Sequence, residues 1–109
     1  MALYLLQVAY TPQAWQGLTR NPQDRAEALK PILAKMGGSI ESAYFTFGEY
    51  DFIAIMQMPG NVDAAAFAFA AAAGGAVKAI KTVPLMTTAE GLEAMKRAGA
   101  SGYTPPKGS

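Results

Sequence analysis

Neither cysteine nor histidine occurs anywhere in this 109-residue sequence. Without cysteine there are no disulfides, thiolate nucleophiles or thiolate metal sites, a composition that suits a cytoplasmic protein. Without histidine, Ser-His-Asp hydrolysis, His-ligated haem and the common zinc sites are excluded, so catalysis would have to use Tyr, Asp, Glu, Lys or Arg. No metal and no cofactor are expected.

Charge is the second scarcity. Only 16% of the residues are charged while 51% are hydrophobic, against roughly 25% charged in an average soluble domain. Such a chain is expected to bury extra surface by association with itself, as a homodimer or higher homo-oligomer. The net charge is +1 and the nine basic residues form no run, so there is no electrostatic footprint for nucleic acid. Long apolar runs are missing too: even AAAFAFAAAAGGA is too short to cross a bilayer. The opening MALYLLQVAYT lacks a basic leader and a small-residue cleavage site and is broken by Gln7, so it reads as a strand rather than a signal peptide. No membrane partner is expected, and a cytoplasmic location is.

What is present reads as one domain over residues 1–98 with a flexible Gly-, Pro- and Ser-rich tail over 99–109. Leu3 to Tyr10 is a strand apolar on both alternations. TPQAWQGLTRNP reads as a long connection with one short helical turn around Ala14 to Gly17. Asn21-Pro22 predicts a helix start, with Asn as N-cap, and the helix should run to about Met36, irregular at Pro31 and stopped by Gly37-Gly38. Ser39 to Phe47 and Tyr50 to Met58 are expected strands, joined by a two-residue Gly48-Glu49 turn. Asn61 should cap a second long helix to about Ala73, Ala76 to Val83 should be a fourth strand, and Thr87 to Glu90 has capping-box spacing for a terminal helix to about Ala98.

The order predicts an α+β fold: ferredoxin-like βαββαβ with an extra C-terminal helix, a four-stranded antiparallel sheet and the helices on one face. Tyr50, Phe52, Ala54, Met56 and Met58 alternate with Asp51, Ile53, Ile55 and Gln57, leaving both strand faces largely apolar. Antiparallel sheets with one solvated face alternate more cleanly. The helix-free face is therefore expected to pack against another subunit.

The residues Gly48, Tyr50 and Asp51, in the context NPQDRAEALKPILAKMGGSIESAYFTFGEYD and with the ending GGAVKAIKTVPLMTTAEGLE, resemble the GYD domain family. The likeness runs from about Leu3 to Met95 and departs at Pro31 and in the Ala-rich second helix. The resemblance implies a dimeric α+β barrel type of association and carries no assigned reaction.

Two readings of the GEYD stretch stand side by side. In one, Gly48 turns the hairpin, Tyr50 packs over it and Asp51 accepts hydrogen bonds. In the other, Asp51 lies with Gln57 on a strand face lining a subunit cleft, where desolvation would raise its pKa and fit it as a general base beside Tyr50 or Tyr44. Gln7, Tyr44, Thr46, Lys78 and Thr82 are further polar insertions in apolar strands. If they converge on one face, they would orient a small ligand, and Gln7, Thr46, Gln57 and Lys78 join Tyr10 as candidate binding residues. Trp15, Arg20 and Arg25 could form a lid over an anionic or aromatic ligand, or Trp15 could plug the sheet edge. Three functions remain open: a homo-oligomer binding a small apolar or aromatic ligand in a sheet-face cleft, a cofactor-free oxygenase or isomerase using Asp51 and Tyr as acid and base, and a structural assembly protein with no ligand.

Overall fold

The computed structural model describes residues 1–107. Four strands and four helices follow one another as β1 (Ala2–Tyr10), α1 (Pro12–Arg20), α2 (Arg25–Lys35), β2 (Ser39–Phe45), β3 (Phe52–Met58), α3 (Asn61–Ala73), β4 (Val77–Leu85) and α4 (Thr88–Gly99). The sheet order is β2-β3-β1-β4 with every pairing antiparallel. This is the expected ferredoxin-like α+β arrangement, with α4 appended.

The register separates two faces. Leu6 stands between Ala54 and Thr82, and Val8 between Phe52 and Ile80, on the face that meets the helices. There Tyr4, Leu6, Val8, Phe52, Ala54, Met56 and Met58 are buried with Leu33 of α2 and Ala64 and Phe67 of α3. On the opposite face the rows are Gln57, Leu3, Leu85, then Ile55, Leu5, Val83, then Ile53, Gln7, Lys81. No helix lies on these rows, and Leu3, Leu5, Ile53 and Ile55 are only partly buried.

Four local expectations need correction. Pro12–Arg20 is a full helix rather than one turn, because Thr11 caps it by accepting from Ala14 N–H at 3.1 Å and Pro12 occupies its first turn. The next helix begins at Asp24 rather than Asn21, since Asp24 Oδ1 accepts from Ala26 N–H at 2.9 Å and Glu27 N–H at 3.2 Å. The β2-β3 connection is longer than two residues: Thr46 N–H donates to Asp51 O at 2.7 Å and the Thr46 hydroxyl to Tyr50 O at 2.6 Å, so Phe47 to Tyr50 form the loop. Gly48 does not take the positive φ that a two-residue turn with glycine first would require. Finally, Gly60 is the N-cap of α3, and the Asn61 side chain instead accepts from the Tyr4 hydroxyl at 2.6 Å, tying α3 to the start of β1.

α2 runs on through Pro31, which is exposed, and stops as expected at Gly37-Gly38. Gly37 has φ +82°, and Gly38 N–H reaches back to Leu33 O at 2.8 Å. A side chain at Gly38 would run into the Met58 sulfur and the Gln57 carbonyl, so this glycine lets the helix exit press against β3. The capping box expected at Thr87 is present, with Glu90 N–H donating to Thr87 Oγ1 at 3.1 Å and Thr87 N–H to Glu90 Oε1 at 2.8 Å. The segment after Gly99 lacks regular structure through Lys107, and the last two positions of the expected tail lie outside the described residues.

Candidate functional site

The end of β1 gathers most of the sequence's unusual side chains. Thr11 N–H donates to Ala76 O at 3.0 Å, holding the start of α1 to the entry of β4. α1 then turns Trp15 back onto Tyr10, and their rings meet edge to face at 5.7 Å and 89°. Both residues donate to one carboxylate oxygen: Tyr10 N–H reaches Asp51 Oδ2 at 2.9 Å, and the Trp15 indole N–H reaches it at 3.3 Å. Asp51 N–H in turn donates to Val8 O at 2.8 Å. Asp51 thus joins the β1 end, α1 and the β2-β3 loop.

Beside this junction lies an open cavity of about 520 Å³, lined by Tyr10, Leu18, Arg20, Asn21, Gln23 and Arg25, with small residues of α1 as its floor. Its volume falls within the range of about 300–1,000 Å³ typical of small-molecule sites. Tyr10 and Arg25 also border an apolar recess of about 50 Å³ reaching inward to Leu29, Phe52 and Phe67. Burial raises the Tyr10 phenol above its ordinary pKa of 10.0. The Arg25 side chain beside it acts in the opposite direction, and the Asp51 charge adds to the rise. The phenol is therefore a neutral hydrogen-bonding group at ordinary pH. Arg25 is held in part by Gln23, whose Oε1 accepts from it at 2.7 Å.

The candidates read from sequence divide between several places. Tyr10 and Arg20 line the cavity, and Trp15 abuts Tyr10. Gln7, Tyr44 and Gln57 lie instead on the helix-free sheet face, where Gln57 donates to Glu41 of the neighbouring strand. Thr46 and Tyr50 are engaged with each other in the β2-β3 loop. Lys78 is exposed on the edge strand β4 where its register shifts. Leu18 lies in the segment that reads from sequence as a connection, and Asn21 and Gln23 at the expected start of the following helix, so none of the three stands out there as a site residue. Thr11-Pro12 as cap and first turn, with Trp15 and Leu18 three residues apart, was the signal that could have shown a helix presenting one face inward. Among the described residues no group of three or more carboxylates or other ligand side chains could hold a metal.

Strand order, the split βαβ connections and helices on one side define an α+β protein of the ferredoxin-like class. A GYD domain family model matches residues 4–95, and the chain belongs to that family. No curated protein and no solved structure matches it. Among the described residues no helix is long and apolar enough to cross a membrane.

Proposed function

We propose that this GYD domain protein is a cytoplasmic homo-oligomeric binding module, taking a small organic anion with an apolar or aromatic body into the cavity beside Tyr10. The observation that carries this reading is the convergence of Arg20, Arg25 and the neutral Tyr10 phenol on one open cavity with an apolar recess. Two guanidinium groups supply donors for a carboxylate, that of Arg25 held in place by Gln23, the phenol adds a donor or acceptor, and the recess accepts the apolar end. Asp51 serves as a positioning residue, since its Oδ2 is engaged by Tyr10 and Trp15, whose placement shapes the cavity wall. The helix-free sheet face, with Leu3, Leu5, Ile53, Ile55, Val83 and Leu85, is the surface of self-association.

The test is native mass spectrometry of the purified protein, followed by calorimetric titration with benzoate and with hexanoate. A released organic acid, or saturable binding that weakens at least tenfold in Arg25→Gln, supports the reading. Bare chains that bind neither probe would remove it.

A further inference from the structure

We propose that α4 is an exchange arm, whose apolar stripe lies on the helix-free sheet face of a second copy of this chain. The inference rests on the self-association proposed above and goes beyond it by naming what covers that face: a helix of the second copy, in place of the second sheet of the dimeric α+β barrel that the resemblance implies.

α4 is built to be a helix yet is not packed extensively against any other element of its own chain. It has a complete capping box at Thr87 and Glu90, Lys96 and Arg97 in its last turn, and an Arg97–Glu93 ion pair at 3.3 Å. Every residue in it except Gly91 is exposed. A lone helix of 12 residues is marginal in water, at the bottom of the roughly 12–15 residues at which isolated helices begin to hold. The molecule is correspondingly drawn out, 57 Å in its longest extent with a radius of gyration of 17.6 Å, against about 13 Å for a compact chain of about 100 residues.

Around the helix, Gly91, Leu92, Met95 and Ala98 fall on one side, and Glu90, Glu93, Lys96 and Arg97 on the other. Leu92 is 53% and Met95 70% exposed, an uncovered stripe. The polar side carries two acids and two bases, unlike the Lys- and Arg-rich side of a helix that lies on a lipid surface. Its occupant is therefore a protein surface.

The same chain offers an apolar sheet face that lacks a helix. Strands about 4.8 Å apart make a four-stranded sheet roughly 14–19 Å wide, and the 12-residue α4 is about 18 Å long at 1.5 Å per residue. One helix crosses one face. The arm also leaves from the rim of that face: Leu85 ends β4 opposite Leu3, and only Met86 and Thr87 precede α4. Two copies related by a twofold axis then cover two stripes and two faces with one repeated contact.

The experiment uses the full chain with Leu92 or Met95 replaced by the photoreactive p-benzoylphenylalanine, isotopically light and heavy copies being mixed, irradiated and mapped by mass spectrometry. Light–heavy adducts landing on Leu3, Leu5, Ile53, Ile55, Val83 or Leu85 are expected. Adducts within one chain, adducts elsewhere on the second copy, or none from protein that sediments as an oligomer would overturn the arm and leave self-association standing. A wild-type chain that sediments as a monomer at micromolar concentration would overturn both. As a second measure, Met95→Glu should raise the dissociation constant of the oligomer at least tenfold with the helical circular dichroism kept, and an unchanged constant counts against the arm.

Discussion

One face of the sheet is sealed and the other is half finished, although both are built from similar side chains. Met56 and Met58 are wholly buried beneath helices that their own chain supplies, whereas Ile53 and Ile55, on the same strand, are only partly covered. Apolar alternation thus counts the faces that need cover, and chain connectivity decides which of them the monomer can cover. Here the two long crossovers both land on one side, and the helix left over, α4, stands away from the sheet.

The contrast should be sharpest in the core. Met56→Ala removes a fully buried side chain and should cost about 2–5 kcal/mol in urea unfolding. Ile55→Ala, measured where the chain is monomeric, should cost clearly less, and equal losses would break the distinction between the faces. Next in size is Asp51→Ala, which leaves the Tyr10 N–H and the Trp15 indole N–H without their acceptor. A loss of about 1–3 kcal/mol is expected, and a neutral result would show that the junction at the end of β1 holds without its carboxylate.

Tyr10 gives the helix side a dependence on pH. Its folded pKa lies above the value of 10.0 expected when unfolded, so its contribution to stability is complete below pH 10 and is lost as pH rises through the folded pKa. Urea midpoints should therefore fall more steeply above pH 10 in the wild type than in Tyr10→Phe, and parallel curves would contradict this. The smallest effect is expected at Thr82, whose hydroxyl is buried among the described residues with no hydrogen-bond partner. Thr82→Val keeps the shape and removes the unsatisfied group, so stability should be unchanged or slightly raised, and a marked loss would reveal a partner for that hydroxyl.

Much of the fold was legible because it is written in local signals. The β1 and β3 alternations, the paired glycines after α2 and the Thr87 capping box each specify their element with nearby residues. The misreadings have physical causes of the same scale. Asn21-Pro22 has the chemistry of a helix start, but the carboxylate of Asp24 takes two backbone N–H groups and wins the cap. Asn61 also has cap chemistry, yet its side chain serves the Tyr4 hydroxyl 57 positions away, a demand that no local pattern announces. The β2-β3 turn looked tight because Gly48 suits a tight turn, whereas Thr46 closes the ladder early by bonding around the loop.

The candidate site was less legible for a related reason. Trp15, Arg20 and Arg25 already read as one group over an anionic or aromatic ligand, but their convergence with Tyr10 depends on α1 being a full helix, and the turn formers of TPQAWQGLTRNP argue for a connection. Gln7, Tyr44 and Gln57 were equally unusual and stand on the other face, since strand parity assigns a side without saying which side the helices will take.

Trp15 is the sole tryptophan of the chain. Its indole N–H is bonded to Asp51 and its ring rests against Tyr10 at the cavity edge. The molecule therefore carries one native indole fluorophore, which can be excited apart from the tyrosines, placed where β1, α1 and the β2-β3 loop meet. Any event that loosens that junction or fills the space beside it will be written in a single emission spectrum, without a label and without a second indole to blur it.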